Sequence, residues 1–295
     1  MRKCLKVIGA MALSMALIGG FTEFFGPSVR IDEEYWDSGS SLEAWALAPI
    51  ISAEGAVLIR EKDGSVIYEK DADEKMYPAS ITKIMTCLVT LEILEEIDGD
   101  VDSKVKIPKE AVGIEGSSVY LKEGEIVTVE ELLYGAMLQS GNDAATALAL
   151  CLGGDIETFV KKMNEKAKEL GCTKTRFTNP TGLYDENHYT TARDMAKIAR
   201  AAMNNSCFRK VAGSTSWESK DSGRNFVNKN KTISEFNGAT GVKIGYTKKS
   251  GRTLVASAQR DDVGLIAVVL NDPNWFEDAY AMLEYGFERE GVRTE

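Results

Sequence analysis

The sequence predicts an α/β fold of the α+β kind: one antiparallel sheet assembled from both ends of the chain, flanked by helices, with a helical lobe beside it. Three observations predict it. A strand hairpin opens the ordered part of the chain, amphipathic helical segments fill the middle, and long alternating strands return before a last helix.

The elements follow in order. Gly55-Ala-Val-Leu-Ile-Arg60 and Ser65-Val-Ile-Tyr-Glu69 flank Lys62-Asp63-Gly64, a hairpin signal. Beyond Pro78, Ile81, Ile84, Met85, Leu88 and Leu91 recur at helical spacing. A helix is expected over 80–96, buried until Glu92, Glu95 and Glu96 appear. Thr128 with Glu131 forms a capping box before Leu132, Leu133 and Met137, and a further helix is expected over 142–152. Asp155 caps another that stops at Gly171, and Thr191 with Asp194 opens one ending near Met203. From Ser214 to Leu270 the chain reads as β-rich. It ends in the runs 253–258 and 264–270 around Arg260-Asp261-Asp262, and a final helix is expected over 275–287.

Composition narrows the chemistry. The 295 residues carry 35 Lys+Arg against 45 Asp+Glu, a net charge of −10, so no basic face is available for nucleic acid. The single histidine, His188, excludes a His-cluster metal site, and no metal or cofactor is expected. None of the five cysteines forms a C-x-x-C pair, and free, mostly buried thiols are expected. Arg2, Lys3 and Lys6 precede an apolar run, so 1–26 reads as a secretory signal or N-terminal anchor, with 27–47 an acidic linker and 48–290 the main folded domain. The chain is thus expected to be exported, secreted or held at the outer face of the membrane.

Three polar groups stand out. Ser80-Ile-Thr-Lys83 opens the buried helix, and residues three apart share a helix face, so the Lys83 amine can reach the Ser80 hydroxyl. The plainer alternatives are an N-cap serine and a solvated lysine, and Ser103-Lys-Val-Lys106 matches the same pattern in a charged stretch. Ser140-Gly-Asn142 lies between two helices and offers a hydroxyl and a carboxamide, or simply caps the next helix. Lys243-Ile-Gly245-Tyr246 places a glycine in a strand, where another backbone can approach. Otherwise it is an edge strand with a protective lysine.

In this order and spacing the three groups resemble the active-site serine penicillin-recognising enzymes, whose fold is β-lactamase/transpeptidase-like. Tyr77-Pro-Ala-Ser-Ile-Thr-Lys-Ile-Met-Thr86, Leu138-Gln-Ser-Gly-Asn-Asp-Ala-Ala145, Asn179-Pro-Thr-Gly-Leu183 and Glu186-Asn-His-Tyr-Thr-Thr-Ala192 resemble, more closely, the D-alanyl-D-alanine carboxypeptidases, the low-molecular-mass penicillin-binding proteins. The resemblance implies Ser80 as nucleophile, Lys83 as its base and Ser140 as proton relay. It also implies that Asn142, Lys243, Gly245 and Tyr246 bind substrate, with the amides of Ser80 and Tyr246 forming the oxyanion hole. The implied partners are peptidoglycan stem peptides ending in D-Ala-D-Ala, with β-lactams as covalent inhibitors and membrane contact only through the N-terminal segment. A penicillin sensor is the alternative, and a class A β-lactamase is disfavoured by the lack of a loop glutamate to activate water.

Two departures bear on this. The family's threonine within K-T-G is Ile244 here, which removes a hydroxyl implied to hold the substrate carboxylate. Tyr246, Lys248, Lys249 and Arg252 are the nearby alternatives. A lost hydrogen bond to a charged group is worth roughly 1.5–3 kcal/mol, so Ile244→Thr is expected to speed acylation about tenfold. The second departure is length, because many members append a β-rich stem domain and a membrane helix, for which the sequence leaves no room before Glu295.

Overall fold

The structure, a computed structural model, describes residues 47–292. The predicted export segment 1–26 and the predicted linker, save Leu47, lie outside these. In chain order the elements are β1 (Gly55–Arg60), β2 (Val66–Lys70), α1 (Lys83–Glu96), β3 (Lys104–Lys106), β4 (Ile126–Thr128), α2 (Val129–Leu138), α3 (Asn142–Gly153) and α4 (Ile156–Glu169). They continue as α5 (Ala192–Asn204), α6 (Ser206–Gly213), β5 (Ser216–Glu218), β6 (Asn225–Val227), α7 (Thr232–Glu235), β7 (Ala239–Thr247), β8 (Gly251–Arg260), β9 (Val263–Leu270) and α8 (Trp275–Arg289).

The main sheet has the order β2-β1-β9-β8-β7 and is antiparallel throughout, so the first hairpin and the last three strands close one sheet, as expected. Strand alternation sends successive side chains to opposite faces. Val57, Ile59, Val255, Ile266 and Val268 join the core shared with helices α1 to α6. Ala56, Leu58, Leu254, Ala256, Leu265 and Val269 pack instead with Phe276, Met282, Leu283 and Phe287 of α8. Both faces are covered, which is why the central strands read as almost unbroken apolar runs. Strand β7 is an edge, paired with β8 alone.

Several expectations are adjusted. The helix expected from residue 80 begins as a 3-10 turn, Ala79–Thr82, and becomes α-helical at Lys83. The Thr128 hydroxyl does cap α2, accepting from the Glu131 amide at 3.1 Å. The box is only half made, because the buried Glu131 carboxylate accepts instead from Ser219, Ser222 and Arg224. Helix α6 was not anticipated. It follows α5 after one residue, Asn205, whose side chain accepts from the amides of Cys207 and Phe208. The β-rich segment is likewise interrupted by the single turn α7. The four described cysteines are free, two of them buried and two half-buried. Among the described residues no helix is long and apolar enough to cross a membrane.

Candidate active site

The site is built around one buried amine. Lys83 opens α1 with its side chain inside the core and no exposed surface. Its Nζ lies 3.0 Å from Ser80 Oγ, 2.7 Å from Asn142 Oδ1 and 2.7 Å from the carbonyl oxygen of Thr181. Two of these partners can only accept. A neutral amine has two N–H groups for them and a lone pair left for the Ser80 hydroxyl to donate into. Burial, and then the Lys243 ammonium, push the Lys83 pKa well below the ordinary lysine value. Burial and the neighbouring charge favour the neutral amine, which in that form faces the Ser80 hydroxyl as a base.

Ser80 is half-buried, in the 3-10 turn rather than at an N-cap, since no side chain caps either that turn or α1. The turn is held in an uncommon shape. Ala79 has φ +51°, a left-handed conformation costing about 1–3 kcal/mol in a non-glycine residue. Its surroundings enforce it: Thr253 Oγ1 donates to the Pro78 carbonyl at 2.9 Å. Gly182 packs so tightly on the Ala79 carbonyl that a Cβ there would fall 1.9 Å from that oxygen.

Strand β7 supplies the opposite wall. A Cβ at Gly245 would lie 2.8 Å from the Ser80 amide nitrogen and 2.5 Å from Thr253 Oγ1. The backbone that needs this glycine is thus the chain's own Ser80 turn, a closer reason than the substrate approach read from sequence. It brings the amide of Ser80 alongside the strand that carries Tyr246, which is 63% exposed. Lys243 is buried, its Nζ donating to the Ile244 carbonyl at 2.9 Å, and burial followed by the charge of Lys229 brings its pKa to about 7.

The loop between α2 and α3 completes the arrangement. Ser140 is nearly buried, with φ +62°, and its hydroxyl makes no hydrogen bond to Lys83 or Lys243. Asn142 is the first residue of α3, not its cap. Its Oδ1 accepts from Lys83 and its Nδ2 donates to the Glu115 carbonyl at 2.6 Å, so both ends of the carboxamide are engaged within the protein. In this geometry it positions the Lys83 amine.

Sequence reasoning missed several contributors, some because they act through backbone atoms. Thr181 contributes a carbonyl, and Asn179 organises its loop by accepting from the amides of Thr181 and Gly182. His188 stands behind the turn that carries Ser80. Its Nδ1 accepts from the Thr178 amide at 3.1 Å, so its Nε2–H donates to Thr82 Oγ1 at 2.9 Å. Burial lowers its pKa to about 4, which makes it a neutral strut. Lys229, which adds positive charge near both buried lysines, carried no sequence signal.

Comparison with known proteins adds four findings. The profile of the D-alanyl-D-alanine carboxypeptidase family matches residues 43–274. The chain is 42% identical over 220 residues to the D-alanyl-D-alanine carboxypeptidase DacF of Bacillus subtilis, covering 74% of this chain and 57% of that protein. It is 36% identical over 250 residues to DacC of Escherichia coli, covering 81% of this chain and 62% of that protein. The chain therefore spans about three fifths of the length of these two relatives. The crystal structure of the Streptomyces K15 DD-transpeptidase superposes with a TM-score of 0.76 at 35% identity, over 82% of this chain and 99% of that one.

Proposed function

Because this chain belongs to the D-alanyl-D-alanine carboxypeptidase family, we propose that it is a serine-type D-Ala-D-Ala carboxypeptidase that trims peptidoglycan stem peptides through a Ser80 acyl-enzyme. The observation that carries this reading is the buried Lys83 amine, 3.0 Å from Ser80 Oγ and held by Asn142 Oδ1 and the Thr181 carbonyl.

In the proposed reaction Lys83 takes the Ser80 proton as Oγ attacks the carbonyl of the terminal peptide bond. The oxyanion is met by the amides of Ser80 and Tyr246, each worth ~10²–10³ in rate when donors of this kind are removed. The C–N bond then breaks, the proton passes through Ser140 to the departing D-alanine amine, and water hydrolyses the ester to free Ser80. A lysine at its ordinary pKa of about 10.4 is neutral in only about one molecule in two to three thousand at pH 7, so the burial of Lys83 is central to the rate.

The same nucleophile is proposed to be acylated by β-lactams, and the N-terminal segment to direct export, so that the enzyme works on cell-wall peptides outside the membrane. The test is to incubate the purified protein with diacetyl-Lys-D-Ala-D-Ala and assay free D-alanine. Sustained release supports the carboxypeptidase. A stoichiometric Ser80 adduct with no release beyond one equivalent marks a penicillin-binding sensor instead.

A further inference from the structure

The sheet gives a bound peptide a direction. In an antiparallel ladder the N–H and C=O of one residue point to the same side, and successive residues alternate. The Arg252 carbonyl accepts from the Asp272 amide at 2.9 Å, just past the end of β9, so Arg252 turns its backbone toward β9. Tyr246, its partner across the β7–β8 ladder, therefore turns its own N–H and C=O outward from the free edge of β7. A substrate residue whose carbonyl meets the Tyr246 amide can return its own N–H to the Tyr246 carbonyl only if it lies antiparallel to β7. The leaving residue then falls toward Gly245 and Lys243. The peptide upstream of the acylated residue runs the other way, past Thr247 to the turn at 248–250.

That end of the site holds a cluster drawn from three segments. Tyr77 lies just before the catalytic turn, and Tyr184 lies just beyond Thr181, whose carbonyl holds Lys83. Their rings meet edge to face with centres 5.0 Å apart. Gly182 packs on the Ala79 carbonyl, which fixes the Tyr184 loop against the turn that carries Ser80. Lys249, in the β7–β8 turn, places its ammonium 5.9 Å from the centre of the Tyr184 ring, and its charge is felt at Tyr77 as well.

The state of this cluster suits a ligand. Tyr184 is 48% exposed. Acidic residues outnumber basic ones by 45 to 35, yet among the described residues neither Lys248 nor Lys249 forms an ion pair, and both are exposed. Asp185 accepts from the Asn187 amide at 2.7 Å, and Glu186, whose charge also reaches Tyr77, is paired with neither lysine. In strand addition the main-chain bonds give affinity and the flanking side-chain contacts give specificity. The residue upstream of the acylated one lies about 3.3 Å further along the strand, beside Thr247, and a long side chain there reaches the cluster.

We propose, resting on the carboxypeptidase reading, that Tyr77, Tyr184 and Lys249 bind the residue immediately upstream of the acylated one. The rings cover the aliphatic stem of its side chain, and the Lys249 ammonium pairs with a carboxylate at its end. The enzyme thereby selects among stem peptides by the charge of that side chain.

The test measures D-alanine release from two peptides of one shape. In Nα-acetyl-Lys(Nε-succinyl)-D-Ala-D-Ala the side chain ends in a carboxylate, and in the succinamide counterpart it ends in a neutral amide. The quantity read is the ratio of kcat/KM, acid over amide. Wild type is expected to give a ratio of about five at low ionic strength, falling as salt screens an exposed pair. Lys249→Ala should bring the ratio close to one, and Lys249→Glu should bring it below one. A wild-type ratio near one, or a ratio that Lys249→Ala leaves unchanged, would overturn the proposal. A wild-type protein that releases D-alanine from neither peptide would instead overturn the carboxypeptidase reading, and the subsite with it.

Discussion

The chain contains the pattern S-x-x-K twice, and the two copies have opposite fates. Ser80 and Lys83 are wound in a 3-10 turn that runs into α1, which brings their side chains to 3.0 Å in a site where the lysine is wholly buried. Ser103 immediately precedes β3, and Lys106 ends it, so the pair is stretched over about 10 Å of extended chain. Both residues are exposed, and Ser103 Oγ only accepts from the Asp100 amide in a local turn. The difference teaches that the four letters carry no chemistry of their own. Winding supplies the contact, and burial supplies the base.

The largest expected effect tests that difference directly. Ser80→Ala abolishes acylation by a labelled penicillin and Lys83→Ala suppresses it by ~10²–10⁴, with the fold kept by circular dichroism. Ser103→Ala and Lys106→Ala leave the rate within about twofold. Labelling that moves to Ser103, or a rate in Lys83→Ala within about twofold of wild type, would erase the distinction.

Next in size is Gly245→Ala. Its added Cβ would meet the Ser80 amide at 2.8 Å and Thr253 Oγ1 at 2.5 Å, so β7 must shift away from the turn. A loss of ~10²–10³ in kcat/KM for the D-Ala-D-Ala peptide is expected, comparable to removing an oxyanion donor. A loss below about threefold would mean that the strand and the turn act independently.

The support beneath Ser80 has no counterpart beneath Ser103, and His188 makes it measurable. Burial holds its pKa at about 4, below the ordinary value of 6.5. Below pH 6.5 the unfolded chain takes up a proton that the folded chain refuses, so stability falls as pH drops toward 4. The contribution between pH 6.5 and 5 is about 2 kcal/mol. Urea unfolding should show a shallower pH slope in His188→Gln than in wild type, and parallel slopes would remove His188 from this role.

The smallest effect is expected at Ile244. The sequence alone implied a tenfold gain for Ile244→Thr. In the structure Ile244 packs on the α8 side of β7, away from the Ser80 turn that Gly245 meets, so a hydroxyl added there does not face the nucleophile. Acylation rates should stay within about twofold of wild type. A tenfold gain would restore the simpler view that the carboxylate lost its partner.

The parts legible in sequence were those that depend on side-chain type and spacing. The closure of one sheet from both ends of the chain, the helix caps at Thr128, Asp155 and Thr191, and the order of the three polar groups all belong here. The parts not legible were those built from backbone. The Thr181 and Glu115 carbonyls could belong to any residue, and the left-handed φ at Ala79 and Ser140 is imposed by packing against residues' own propensities. Helix α6 was missed because it is short and directly follows the helix end at Asn205, and the Glu131 network because its partners lie some ninety residues away.

The account rests on Lys83 being an uncharged amine at working pH, and a side-chain NMR titration of ¹³C-labelled lysine, with Lys83 assigned through Lys83→Arg, reads that state directly. The predicted result is a neutral Lys83 at pH 7, with a midpoint that rises in Lys243→Met because the neighbouring charge that lowers it has gone. A Lys83 that remains an ammonium until about pH 10.4, like an ordinary solvated lysine, would contradict the assignment of the base and the mechanism built on it.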